Sequence, residues 1–214
     1  VNAVLHGYLS GQAGARAIMR ILSGAVNPSG KLSESYPYGY DDNASAKYFD
    51  IPGKVVEYRE GIYVGYRYYR SASIKVQYPF GFGLSYTTFD YSDISVDGNK
   101  VSFTLTNSGG VDGAEVSQLY VSKPDSMIFR AEEELKGFAK TFLAAGESKR
   151  VTITLDDKAF RYFNVVTNKW EVEAGSYEIR IGASSEDIKL TAITEVEGTE
   201  APNPYDKTEY AKYY

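Results

Sequence analysis

Asp97-Gly98-Asn99-Lys100-Val101-Ser102-Phe103-Thr104-Leu105 is the stretch whose pattern decides the fold. A turn signal opens it. Val101, Phe103 and Leu105 then alternate with polar Ser102 and Thr104, the period of a strand that buries one face. The same pattern recurs on both sides of it from Thr87 onward. Asn107-Ser108-Gly109-Gly110 leads into a strand at 115–121, and further strands follow at 135–142, 150–155, 162–166, 169–173, 177–182 and 188–193. Gly146, Asn168 and Gly175 punctuate the series. Short strands broken by turn signals every roughly 8–12 residues are the mark of a sandwich. Residues 86–197 therefore read as an all-β immunoglobulin-like sandwich of fibronectin type III style, with Trp170 in its core on the same strand face as Val172.

Upstream the period changes. Residues 1–5 form an apolar run expected to be a buried strand. Ala17, Ile18, Ile21 and Leu22 have helical spacing within 12–23, and Gly24 is placed to end that helix. Asn27-Pro28-Ser29-Gly30 signals a turn, and residues 31–36 can return as a strand before Pro37. This strand–helix–strand slice is an α/β fragment, which cannot cover both faces of its own strands. Residues 37–57 are polar and turn-rich and read as a long loop. A tyrosine-dense stretch fills 58–85, and residues 198–214 read as a tail or linker.

Composition excludes several functions. The chain has 214 residues, 43% of them hydrophobic and 24% charged, which is ordinary for a globular protein. No run is long and apolar enough to span a bilayer, so no membrane role is expected. Net charge is −5, against a nucleic-acid partner. The charge is divided, with net +3 over residues 1–85 and net −8 over 86–214, which places a boundary near residue 85. There is no cysteine and one histidine, His6, so thiolate chemistry, a histidine-based triad and a multi-histidine metal site are not expected. Without cysteine the compartment stays open, a bacterial cytoplasm being the favoured expectation. The opening residues Val1-Asn2-Ala3-Val4-Leu5 lack an initiator Met, and the expectation is a chain that belongs to something longer.

Local motifs resolve mostly into structure. Gly24 to Lys31 has the wrong glycine spacing for a phosphate loop, and Leu32 stands where Ser or Thr is needed. Gly81-Phe82-Gly83 lacks the third glycine of a dinucleotide fingerprint. Glu132-Glu133-Glu134 and Asp156-Asp157 lie in hydrophilic runs and read as solvated. No carboxylate pair is singled out for hydrolysis of a glycosidic bond, although Glu57, Glu60 and Asp90 lie closest to the aromatic stretch. Tyr58, Tyr63, Tyr66, Tyr68, Tyr69, Tyr78, Phe80, Phe82 and Tyr86 crowd that stretch, with two readings open. One is a sugar-stacking platform. The other is a seam in which each ring is buried and each hydroxyl satisfied, and strand-period alternation favours it. Glu60 and Arg67 are candidate ion-pair members within it.

Several strings resemble one known family. They are Gly11-Gln12-Ala13-Gly14; Leu22-Ser23-Gly24-Ala25-Val26-Asn27-Pro28-Ser29-Gly30-Lys31-Leu32; Tyr58-Arg59-Glu60-Gly61-Ile62-Tyr63-Val64-Gly65-Tyr66-Arg67-Tyr68-Tyr69; and, most specific, Tyr78-Pro79-Phe80-Gly81-Phe82-Gly83-Leu84-Ser85-Tyr86-Thr87. Gly113 to Val121 and Glu134-Leu135-Lys136-Gly137-Phe138 fit as well. In this order they resemble the C-terminal portion of bacterial glycoside hydrolase family 3 enzymes, especially β-glucosidases. Met19 and Arg20 depart from the family's usual Ala and Asp, and Ser33 to Pro37 from its Pro-x-Thr-Phe-Pro. The resemblance implies that residues 1–57 end an α/β sandwich domain, 58–85 connect it, and 86–197 form a fibronectin type III-like domain. It implies a catalytic Asp and Glu outside these residues, hence no catalytic residue in this chain, no cofactor and no metal. A β-glucoside oligosaccharide would be bound through other domains, with the enzyme's own barrel domain as partner. The alternative is a stand-alone β-sandwich module that binds carbohydrate or protein without catalysis.

Overall fold

The computed structural model describes residues 3–49 and 55–204. Chain order begins with helix α1 (Gly14–Leu22), the short strand β1 (Tyr36–Pro37), a 3-10 turn at Tyr40–Asp42, helix α2 (Tyr66–Ser71) and strand β2 (Val76–Tyr78). Nine strands follow: β3 (Phe89–Asp97), β4 (Lys100–Asn107), β5 (Gly113–Ser122), β6 (Glu134–Leu143), β7 (Ser148–Thr154), β8 (Arg161–Asn164), β9 (Lys169–Val172), β10 (Gly175–Gly182) and β11 (Ile188–Val196).

The β region is a sandwich, as its period implies. One sheet runs β11-β10-β5-β6 and the other β3-β4-β7, all neighbours antiparallel, with β8-β9 a separate hairpin. Val101, Phe103 and Leu105 of β4 project between the sheets, against Leu119 of β5 and Tyr177, Ile179 and Ile181 of β10, all fully buried. Burying each such side chain contributes about 1.5–3 kcal/mol. Strand β3 escaped the periodic reading because Asp93, in the left-handed region at φ 56°, inserts a bulge where the register to β4 jumps from Ser92 to Ser95. Phe89 and Tyr91 face inward before it and Ile94 and Val96 after it, so strict alternation breaks at the bulge.

Trp170 is not core. It is 56% exposed and meets Phe163 edge-on across the β8-β9 hairpin, with ring centroids 5.5 Å apart. That hairpin forms its own two-stranded ladder outside both sheets, and the residues it buries are Asn164 and Glu171, not Trp170.

The N-terminal region is thinner. The helix expected at 12–23 is α1, whose half-buried positions Gly14, Ile18 and Ile21 share one face. No α1 residue is fully buried. The strand expected at 1–5 is absent from its described residues 3–5. Of the strand expected at 31–36, only Tyr36 enters a ladder, with Pro37, opposite β2. An interior strand needs flanking strands to pair with, and within the described residues this ribbon is two strands wide. The long loop of 37–57 and the tail of 198–214 fall partly outside the described residues.

Candidate functional site

The place where chemistry could concentrate is the seam between the tyrosine-rich segment and the outer face of β5 and β6. Strand β5 is buried on both faces from Ser117 to Ser122, which requires a second layer on its outer side. Residues 66–83 supply it. The Tyr66 ring stacks on Phe80 at 4.7 Å and meets Tyr120 edge-on at 5.9 Å. The Tyr66 hydroxyl accepts the Leu135 N–H at 2.7 Å. Gln118 spans the seam: its amide donates to Gly81 O (3.1 Å) and Ala183 O (2.8 Å), while its oxygen accepts the Tyr120 hydroxyl at 2.6 Å. Every polar atom of that amide side then has a partner, as burial demands.

Two glycines of the aromatic string are required by this packing. Gly81 has φ 80°, and a Cβ there would lie 2.0 Å from the Gln118 side-chain oxygen. A Cβ on Gly83 would lie 2.4 Å from Gly30 O. The glycines thus admit a close backbone approach and cradle no nucleotide.

Charge pairing at the seam centres on Glu133, which is 0% exposed. Arg70 of α2 donates to one carboxylate oxygen (3.2 Å) and Arg180 of β10 to the other (3.0 Å). Burial pushes the Glu133 carboxyl upward against the pull of Arg180 and Arg70. Arg180 also holds Glu178 at 2.6 Å and Glu132 at 3.3 Å. The acidic run 132–134, expected to be solvated, is therefore in part a buried clasp: β10 brings Arg180 beneath it, a long-range contact with no local signature. Lys31 pairs with Glu115 at 2.9 Å, so the lysine of the false phosphate loop is a second clasp. Asn27 is a third, donating to Asp112 O (3.1 Å) and accepting from Ser85 Oγ (3.0 Å) and Tyr86 N (2.8 Å).

The expected partnership of Glu60 and Arg67 is not among the ion pairs of the described residues. Gly61 and Gly65, both at positive φ, turn the chain between them. Arg67 Nε lies buried without a hydrogen-bond partner, and Arg70, three residues further along α2, pairs with Glu133. Glu57 is exposed and pairs with Arg59, and Asp90 is exposed on β3. His6 stacks on Tyr8 at 3.9 Å and shares a hydrogen bond with the Tyr36 hydroxyl. Among the described residues no three His, Cys, Asp or Glu side chains gather as a metal site, and no helix is long and apolar enough to cross a membrane. Of the aromatic residues, Tyr69 is buried and Tyr63, Tyr66, Tyr68, Tyr78, Phe80 and Phe82 are half-buried; Tyr58 and Tyr86 are exposed. The rings interlock and do not form an open row.

Residues 1–86 match the Glycosyl hydrolase family 3 C-terminal domain, and residues 115–185 the Fibronectin type III-like domain. The chain belongs to the C-terminal portion of glycosyl hydrolase family 3. It is 48% identical over 209 residues to Thermostable beta-glucosidase B of Acetivibrio thermocellus, covering 93% of this chain and 27% of that protein. It is 42% identical over 219 residues to an Exo-alpha-(1->6)-L-arabinopyranosidase of Bifidobacterium longum, covering 99% of this chain and 28% of the relative. Among solved structures, the Bifidobacterium adolescentis GH3 beta-glucosidase superposes with TM-score 0.87 at 41% identity, over 94% of this chain and 30% of that one. Beta-glucosidase 3B of Thermotoga neapolitana, in complex with alpha-D-glucose, gives TM-score 0.80 at 42% identity over 88% and 27%. This family 3 chain thus spans less than a third of the proteins it matches.

Proposed function

We propose that the chain acts as the non-catalytic C-terminal part of a retaining β-glucosidase-type enzyme that removes terminal non-reducing β-D-glucosyl residues. One observation carries this: the N-terminal region offers an apolar surface it does not cover. Val4, Leu5, Leu9, Met19, Leu22, Val55, Val56, Ile62 and Val64 are all exposed, while the neighbouring sandwich has sealed its own core. Such a surface supports a role in packing against further domains, the enzyme's own barrel foremost. Retaining hydrolysis needs two carboxylates about 5–5.5 Å apart across one sugar. The carboxylates of the seam are instead consumed by Arg70, Arg180 and Lys31.

The test is release of nitrophenol from nitrophenyl β-glucoside. The chain alone is expected to show no turnover, because positioning and both carboxylates would be missing together. A chimera with this chain in place of the matched region of the Acetivibrio thermocellus relative is expected to be active. Turnover by the chain alone that persists through purification would contradict the reading, as would a folded but inactive chimera.

A further inference from the structure

The β8-β9 hairpin is built inside out. Its polar side faces the protein: Asn164 is fully buried and Glu171 nearly so. Asn164 donates to Pro202 O (2.8 Å) and accepts the Val166 N–H (2.9 Å), and Glu171 accepts the Thr167 hydroxyl at 3.0 Å. Its aromatic side faces water. Phe163 and Trp170 stand directly opposite each other across the ladder, 42% and 56% exposed, and Val165 and Val166 beyond the end of β8 are exposed as well. Neither ring belongs to the sandwich core. The indole N–H of Trp170 makes no hydrogen bond among the described residues. Singly scattered apolar residues on a surface need no explanation, but an aromatic pair exposed over a buried polar underside does.

What surrounds the rings defines the ligand. The ring centroids lie 5.5 Å apart with the planes at 75°, so the pair forms a floor and a wall and not a flat row. Arg161, two residues before Phe163 and so on the same side of the ladder, holds Asp157 at 3.0 Å, and both are partly exposed. Between residues 156 and 172, Asp156, Asp157 and Glu171 balance Lys158, Arg161 and Lys169, a neutral island in a region of net charge −8. An uncharged molecule with an apolar face and a hydroxyl rim complements it. A pyranose is such a molecule: its C–H face lies on an aromatic ring while its hydroxyls bond the flanking polar groups. The ladder is too small for a stable protein interface. From strand spacings it measures roughly 13 Å by 10 Å, whereas a standard interface takes about 800 Å² from each partner. We propose that the outer face of the β8-β9 hairpin binds a neutral pyranose unit of an oligosaccharide, with Trp170 and Phe163 stacking on it and the Arg161–Asp157 pair taking its hydroxyls. This face holds sugar without cleaving it, a role beyond packing against other domains.

Trp170 is the single tryptophan of the chain, so its emission reports this face alone. The experiment titrates the full 214-residue chain with cellotetraose and, as a control, with sorbitol, which has hydroxyls but no ring face. A saturable blue shift is expected with cellotetraose and none with sorbitol, and nitrogen-15 NMR should confine the shifted amides to 161–172. Phe163→Ala keeps the reporter and should weaken binding roughly threefold to tenfold, the share of one aromatic contact. Trp170→Ala, followed by NMR, should lose the shifts. The rest of the spectrum reports whether each variant keeps the native fold. No saturation with cellotetraose would overturn the proposal, as would an equal response to sorbitol or undiminished binding by natively folded Phe163→Ala. Shifts of the same amides on raising protein concentration without sugar would assign the face to a second copy and overturn it too. The titration involves no turnover, so its result is separate from the activity of the chimera.

Discussion

The sandwich and the N-terminal region solve the burial problem in opposite ways. In the sandwich, β4, β5, β7 and β10 meet over a continuous core in which Phe103, Leu105, Leu119, Tyr177 and Ile179 lose all contact with water. In the N-terminal region α1 buries no residue completely, and that region's attachment to the sandwich relies on directional polar clasps at Asn27, Lys31 and Arg70 together with the edge-on contact of Tyr66 with Tyr120. The difference teaches that one part can stabilise itself, whereas the other is docked on it and keeps an apolar surface in reserve. Polar clasps fix register and orientation but add little net stability, about 0.5–1.5 kcal/mol per ordinary hydrogen bond.

The sharpest way to break this comparison is to hollow out the sandwich. Phe103→Ala should cost about 3–5 kcal/mol, read as a fall in the denaturant midpoint of the whole chain. Removing Glu133 comes next. Glu133→Ala leaves Arg70 and Arg180 facing each other without their shared carboxylate and should cost about 2–3 kcal/mol, below the range for a fully buried pair because Arg70 is partly solvated. If the clasp docks α2, the same variant should also make residues 58–86 more sensitive to limited proteolysis. Asn27→Ala, which abandons three hydrogen bonds, should cost about 1–2 kcal/mol and loosen the N-terminal region while the sandwich stays folded. Met19→Ser on α1 should change stability by no more than about 0.5 kcal/mol, since Met19 is already exposed.

Alkaline titration sharpens the same contrast. Burial raises the phenols of Tyr66, Tyr91, Tyr120 and Tyr177 above their ordinary value, most strongly Tyr91 and Tyr120. Above about pH 10 the unfolded chain releases these protons while the folded chain retains them, so stability must fall as pH rises from there. The buried phenols should ionise, read as phenolate absorbance, only as the folded structure around them is lost.

Much of this was legible in the sequence because it is periodic or locally punctuated. The alternation of Val101, Phe103 and Leu105 carried the sandwich, and Ile18 and Ile21 with Gly24 carried α1. What escaped was written in long-range contacts. The bulge at Asp93 disguised β3, and a separate hairpin exposed Trp170 although its strand pattern matched the core strands. Glu133 sits in an acidic run, and only the arrival of Arg180, 47 residues later, makes it a buried clasp. Asn107 reads as a turn residue yet is fully buried, its amide donating to Val111 O and Leu143 O and its oxygen accepting the Thr87 hydroxyl. The family strings supplied what periodicity lacked, since Tyr78 to Thr87 has no regular pattern and its glycines make sense only against Gln118 and Gly30.

Native-state hydrogen exchange on the chain alone tests the contrast most directly, because it measures the opening free energy of each region in one sample. Amides of Val101, Phe103, Leu119, Ile179 and Ile181 should exchange only through global unfolding. Amides within Gly14–Leu22 should open at least about 3 kcal/mol more easily, and a folded chimera with the upstream domains should close that gap. Protection in α1 equal to that of β4 and β10 in the isolated chain would contradict the account.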